Sequence, residues 1–263
     1  MKVYEFSNGK GPKVAIVACL HGDEIIGKLI IDKLIENIKN GKFKFKGTLK
    51  LIVANEEAMK ARERFIDSDL NRVFPGNPNG NHEEKLAYKL LKELKDFDYV
   101  VDIYSTITET PSFVILTKEE MLDLAKKVPL KRILVMSPKL VKEKALIGHV
   151  KGISIEFNHK INPSIAYKIV KETLENIYNN KDTQIKQGIY YVKGILRKEK
   201  VGKLLINPKN FKRIKKGTII EKKVMKKFIS ILIFIQSFIE ETKKPKAMKE
   251  YYFYMLLRRK IKK

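Results

Sequence analysis

The amino-acid sequence predicts an α/β protein: a mostly parallel or mixed central sheet flanked by helices, followed by a smaller β-rich C-terminal domain. Three observations lead there. Over the first 180 residues, short β-branched runs alternate with segments of helical periodicity, the pattern of strands joined by helical crossovers. Polar clusters sit where the apolar runs end, which is where such sheets gather their ligands. From about Ile185 the helical periodicity fades, and β-rich pieces separated by turn residues take over. The chain therefore divides into residues 1–182 and residues 183–263.

The elements follow in order. Residues 14–19 form a β-branched run and read as a strand. Residues 24–40 carry Ile26, Leu29, Ile30, Leu34 and Ile38 at helical spacing, and Asn40 with Gly41 supplies a stop. Residues 49–54 are the next strand. Residues 82–95 are an amphipathic helix with Leu86, Leu90, Leu91 and Leu94 on one face. Strands follow at 99–104, 113–117 and 132–137, with a short helix at 118–127, and another strand lies at 152–157. Asn162 and Pro163 then provide an N-cap and a first-turn proline for a helix reaching about Tyr178. Beyond it, the β-rich pieces are 189–196, 203–206, 218–220 and 228–235, while residues 240–263 carry no assignable pattern.

Composition narrows the functional classes. At 263 residues with 44% hydrophobic content, the chain has enough apolar surface for one good core. Its single cysteine, Cys19, excludes an intrachain disulfide and a thiolate metal cluster, and suits a reducing, cytoplasmic setting. Residues 1–8 are short and polar, with no apolar leader. The longest apolar stretch, 228–239, contains Gln236 and Ser237 and falls short of the roughly twenty residues that a membrane span needs. The net charge is +25, and residues 209–263 hold 18 Lys or Arg against 4 acids. Such charge permits nucleic-acid contact, yet the lysines lack an interleaved aromatic or Gly-rich recognition motif. A solvated lysine-rich surface is the plainer reading.

Three clusters carry chemistry. His21, Gly22, Asp23 and Glu24 follow the first strand. An imidazole and a carboxylate three residues apart, where a strand gives way to a helix, can turn toward one metal ion. The second cluster runs from Arg64 through Asp67, Asp69 and Asn71 to Arg72. Its arginines offer fork-shaped guanidinium groups for a substrate carboxylate, Asn71 adds a neutral donor, and the two aspartates can orient ligands or arginines. The alternative is a loop of solvated charges. The third is Glu156, an acid closing an apolar run that begins at Gly152. Buried there, it would have a raised pKa suited to a general base; emerging into solvent, it would not.

Taken together, these clusters resemble the succinylglutamate desuccinylase/aspartoacylase family, a branch of the zinc-carboxypeptidase-like fold. The shared order is HGDE, then R-x-I-D-x-D-L-N-R, then a D-x-H segment, then G-I-x-x-E, over roughly residues 12–180. The resemblance implies one zinc ion per chain with His21 and Glu24 as ligands. It implies substrate binding by Arg64, Asn71 and Arg72, and Glu156 as the catalytic glutamate. One position departs. Where the family places its third zinc ligand, a histidine, this chain has Tyr104. A phenol must lose a proton with an unperturbed pKa near 10 before it ligates well, so weak zinc binding is expected. Of the other histidines, His159 lies three residues beyond Glu156, His82 opens a helix and His149 falls in a loop.

Three functional readings follow. The first is a zinc-dependent hydrolase that cleaves the amide bond of a small N-acyl amino acid bearing a carboxylate. The second is a catalytically weakened or inactive relative that binds a small carboxylate, suggested by Tyr104. The third, ranked last, is a nucleic-acid-binding protein led by its basic C-terminal region. No membrane partner is expected.

Overall fold

The computed structural model describes residues 1–141, 143–197, 210–215, 230–239 and 250–259. The expected β pieces at 203–206 and 218–220 lie outside them.

The centre of the fold is built from strands whose two faces are both buried, which is why they read as largely apolar runs with few polar residues. These are β2 (Lys13–Ala18), β3 (Gly47–Val53), β4 (Tyr99–Ser105) and β7 (Gly152–Phe157). The antiparallel edge strand β1 is Lys2–Asn8. β5 is Phe113–Leu116, β6 is Arg132–Val135 and β8 is Gly188–Arg197. β9 (Lys212–Lys215), β10 (Ser230–Ile239) and β11 (Glu250–Arg259) complete the described strands. Among the described residues they form one mixed sheet in the order β1-β3-β2-β4-β7-β5-β6-β8-β11-β10-β9. β3, β2, β4 and β7 run parallel, β5 is antiparallel to β7, and β8 is parallel to β6. The expected boundary after residue 182 falls between the last helix and β8. The strands beyond it join the sheet through β8, which pairs with β6 on one side and β11 on the other.

Helices cover both faces. α1 (Ile26–Lys39) and α6 (Pro163–Tyr178) pack Ile30, Ile31, Leu34, Val170 and Leu174 over Ile16, Leu51, Val101 and Ile153. On the other face α3 (His82–Leu94) sets Leu86, Leu90 and Leu94 over Ala15, Val17, Ile52 and Val100. Asn81 and Glu84 start α3 with a reciprocal capping box. Asn162 caps α6 with Pro163 behind it, as its sequence predicts. The short helices are α2 (Glu56–Ala61), α4 (Leu122–Ala125) and α5 (Leu146–His149). Among the described residues, no helix is long and apolar enough to cross a membrane.

Three elements depart from the sequence reading for identifiable reasons. β1 is an edge strand exposed along most of its length, so its sequence looks polar, and only Tyr4 and Phe6 reach the core. α2 spans six residues, too short to display a period. β11 is itself rich in aromatic and aliphatic residues but sits within a lysine- and arginine-rich stretch that obscures it in the sequence, and its backbone pairs with both β8 and β10.

α1 leaves the end of β2 under a tight packing constraint. A Cβ added at Gly27 would lie 2.6 Å from the Ala18 Cβ, well inside contact distance. Gly27→Ala gains helix propensity of roughly 1 kcal/mol but overpacks a site where the strand cannot retreat, at about 1–3 kcal/mol. A net loss of up to about 2 kcal/mol in urea unfolding is expected; a stabilised variant would show that α1 moves away freely.

Candidate active site

β2 lies between β3 and β4; the crossover from β2 to β3 runs through α1 on one face of the sheet, and that from β3 to β4 through α3 on the other. A crevice outside the strand ends is expected at such a point. β2, β4 and β7 are adjacent and parallel, so the residues that end them share one rim. His21 and Glu24 come from the turn after β2. Tyr104 and Glu156 are direct register partners at the ends of β4 and β7. The loop carrying Arg64, Asp69 and Arg72 closes over this rim through a hydrogen bond from the Gly22 N–H to the Arg64 carbonyl, 3.1 Å. That approach needs glycine: a Cβ on Gly22 would lie 2.2 Å from the carbonyl carbon of Ala58.

The side chains there form a buried ionic set. His21 Nδ1 lies 2.7 Å from Glu24 Oε1, and His21 Nε2 lies 3.0 Å from Asp69 Oδ1. Arg64 donates one guanidinium nitrogen to Glu24 Oε1 at 3.3 Å and the other to Asp69 Oδ2 at 3.2 Å. The backbone N–H of Ser105 donates to Glu24 Oε2 at 2.6 Å, which ties the first cluster to β4. Burial opposes charge on His21, but the Glu24 and Asp69 carboxylates outweigh it and lift its pKa to about 9. Asp69 is desolvated too, yet His21 and the Arg64 and Arg72 guanidiniums hold it well below the usual carboxylate range.

A second group of buried polar atoms lies beside this set. The Tyr104 ring centroid is 5.5 Å from that of His21. Among the described residues, the Tyr104 hydroxyl, both Asp102 carboxylate oxygens and Arg64 Nε are buried outside any hydrogen bond of good geometry, although Tyr104 and Asp102 lie close enough to act on each other. Burial drives Tyr104 well above its ordinary pKa, with the Asp102 charge adding to the effect. Burial also raises Asp102 to about 8. Glu156 rises to about 8, first through desolvation and then through the neighbouring Glu24 charge. Of the two sequence readings of Glu156, the buried one holds.

The structure thus brings His21, Glu24, Arg64, Tyr104 and Glu156 together. Arg72 stands close enough to act on Asp69 and donates to the Asn71 carbonyl at 2.8 Å. Asn71 is committed elsewhere in part: its side-chain oxygen accepts from the Leu146 N–H at 2.9 Å and pins the loop against α5. Of the two aspartates, Asp69 enters the site, while Asp67 accepts from the His82 N–H at the start of α3. None of the remaining histidines replaces a ligand. His82 contacts Asn55 and Glu57, His149 contacts the Glu143 carbonyl at the end of α5, and His159 is exposed in a turn. Sequence reasoning missed Asp102; an aspartate inside an apolar strand, two residues from Tyr104 and so on the same face, is the signal that marks it.

The donor chemistry can be matched to zinc. His21 and Glu24 are donors of the usual kind and already converge. Among the described residues no three His, Cys, Asp or Glu side chains are grouped to hold a metal ion. The buried Tyr104 hydroxyl is the candidate third donor, and it would have to be ionised. As folded, His21 and Glu24 bond to each other and to Asp69 and Arg64, so a zinc ion there would have to displace those contacts and draw its third donor from an ionised Tyr104.

Comparisons with known proteins agree with this architecture. Residues 10–136 match the family model of the succinylglutamate desuccinylase/aspartoacylase catalytic domain. A succinylglutamate desuccinylase of Pseudomonas fluorescens (strain Pf-5) is 32% identical over 82 residues, 31% of this chain and 23% of that one. A probable aspartoacylase of Acaryochloris marina is 29% identical over 121 residues, 43% of this chain and 41% of that one. The matched stretch therefore spans about a quarter of the first of these relatives and less than half of the second. Among solved structures, a succinylglutamate desuccinylase of Vibrio parahaemolyticus superposes with a TM-score of 0.75 at 18% identity. It covers 98% of this chain and 86% of its own. Murine aminoacylase 3 gives 0.70 at 18% identity, covering 96% and 97%. These likenesses show the fold.

The charge pattern makes a prediction for the metal-free protein. His21 is raised above its unfolded value of 6.5, so its contribution is fully present below that pH and is lost as pH rises through about 9. Asp102 and Glu156, with folded pKa values of about 8, also favour the folded state less as pH rises toward that value. The urea midpoint should fall between pH 6 and pH 9, with roughly 3 kcal/mol from His21. His21→Gln should flatten that part of the profile, and a midpoint that rises with pH would contradict the assignment. Residues 10–136 thus match the succinylglutamate desuccinylase/aspartoacylase catalytic domain, and the fold that contains them is the one seen in solved structures of that kind.

Proposed function

We propose that the chain is a zinc-dependent amidohydrolase that cleaves the linear amide bond of a small N-acyl amino acid. One observation carries this reading: a buried carboxylate, Glu156, shares a rim with the His21–Glu24 pair and with the Arg64 guanidinium. Two arginines in the loop and a general base at the strand end suit a small substrate with a carboxylate near its scissile amide. His21 and Glu24 would hold the metal, with Tyr104 in third place. When bound there, zinc supplies Lewis-acid polarisation of the acyl carbonyl and of a water molecule.

The chain's own residues do the rest. Glu156, with its pKa near 8, takes a proton from water as oxygen adds to the acyl carbon. It returns that proton to the departing nitrogen as the C–N bond breaks, leaving a carboxylate and an amine. Arg64 and Arg72 orient the substrate carboxylate, while Asn71 holds the loop that bears them. The succinylglutamate desuccinylase and aspartoacylase names of the relatives support a small acylated amino acid as substrate. A cytoplasmic setting fits the single, buried Cys19.

A second reading, a weakened relative that retains the fold and binds a small carboxylate, is favoured by Tyr104. Its phenol is pushed further from ionisation in the very place where a third donor is needed. The nucleic-acid reading has no such observation behind it. Apart from β11, the basic stretch 240–263 lies outside the described residues.

Hydrolysis of N-acetylaspartate and N-succinylglutamate by the zinc-supplemented protein tests the first reading. Glu156→Gln should reduce turnover at least about a thousandfold with folding unchanged, because the amide cannot accept the water proton. Near-normal turnover in that variant would remove Glu156 as the base. Tyr104→His separates the two readings: it should raise turnover if the remaining site is sound, whereas no hydrolysis by either protein would favour the carboxylate binder.

A further inference from the structure

Glu83 is the second residue of α3 and is fully buried. An acid so placed has to be surrounded by donors. It is. Oε1 accepts from the Ile66 N–H at 2.7 Å and from the Asn55 amide at 2.9 Å. Oε2 accepts from the Asp67 N–H at 2.9 Å and the Ser68 N–H at 3.1 Å. Three successive backbone amides of one loop thus converge on a single carboxylate, an arrangement that only an acceptor-only group can satisfy.

That loop is the one bearing the arginines. Arg64 stands two residues before the anchored amides, and Asp69 follows them directly. Asn55, the fourth donor, follows β3 and caps α2 through the Ala58 N–H. Glu83 therefore fastens three things at one point: the end of β3, the middle of the loop and the start of α3. A reciprocal bond from the His82 N–H to Asp67 repeats the tie.

We propose that Glu83 is a positioning residue for substrate carboxylate binding, acting through the backbone of residues 66–68 to hold Arg64 and Asp69 at the rim. The inference rests on the carboxylate-clamp part of the proposed function. Glu83 reaches neither the substrate nor the metal position itself. Its effect is on the placement of the guanidinium, so its loss should weaken carboxylate affinity more than it disturbs the fold.

Two measurements test this. In the wild-type protein, the amides of residues 66–68 should exchange with deuterium roughly a hundredfold more slowly than an unprotected loop, although no backbone carbonyl pairs with them. Rapid exchange there would overturn the proposal without any variant. In Glu83→Gln, an NH2 group faces two N–H donors. Calorimetric affinity of the zinc-supplemented protein for succinate should fall at least about tenfold, with exchange at 66–68 accelerated. Glu83→Asp keeps the charge one methylene short and should lose less; it also serves if the glutamine variant does not fold. Arg64→Lys is the control for the underlying reading. If Arg64→Lys abolishes succinate binding while both Glu83 variants retain it fully, Glu83 does not position the clamp. If Arg64→Lys retains full affinity, the clamp reading itself fails, and with it the role assigned to Glu83, even where the amides prove protected.

Discussion

One guanidinium holds the rim together. Arg64 spans Glu24 and Asp69, and His21 spans the same two carboxylates from the other side. With His21 protonated, two positive and two negative groups alternate around a closed set. Each ion has been taken out of water at a cost of several kcal/mol, and the offset is shared among all four, so removing any one leaves an uncompensated buried charge. The set therefore behaves as a unit. It also couples segments far apart in sequence, the turn after β2 and the loop before α3, which the apolar core alone does not bring into register.

The sheet explains why this set forms where it does. β2, β4 and β7 are buried on both faces and end side by side, so polar residues that follow them emerge at one rim. Gly22 allows the loop backbone to lie directly on the turn. The consequence for chemistry is a competition. Both ring nitrogens of His21 face carboxylates, an arrangement that favours a proton, whereas a metal requires that proton to leave. Tyr104 and Asp102, buried and facing chiefly each other, are the weakly satisfied polar groups beside it. A positive ion at the rim would lower the cost of ionising them and would draw Glu156 down with them.

The fold was legible because strands buried on both faces leave largely apolar runs, as at residues 14–18 and 152–157, and because caps such as Asn162 with Pro163 mark helix starts. Two strands were not: the edge strand β1 keeps only Tyr4 and Phe6 inward, and β11, paired on both sides, is flanked by lysines and arginines that obscure it. At the site, the three-residue spacing of His21 and Glu24 was enough to predict their meeting. The sequence could not rank Asp67 against Asp69, since both are aspartates in one polar loop; only the turn of the backbone sends one to the His82 amide and the other to His21. Nor could it show that the Asn71 side-chain oxygen is taken by Leu146, a contact across 75 residues. Tyr104 was visible as a substitution. That its hydroxyl is buried outside any hydrogen bond of good geometry depends on packing that only the folded chain reveals.

Zinc stoichiometry decides whether the rim is the proposed metal site, with His21 and Glu24 as strong donors and Tyr104 as a reluctant one. Elemental analysis would be made on the protein purified without added metal or chelator, and again after saturation with zinc and removal of the excess. The account predicts well under one zinc per chain at first, one after saturation, and none with His21→Ala. A full equivalent held from the start would contradict the weakness ascribed to Tyr104. Zinc retained equally by His21→Ala would contradict the site itself.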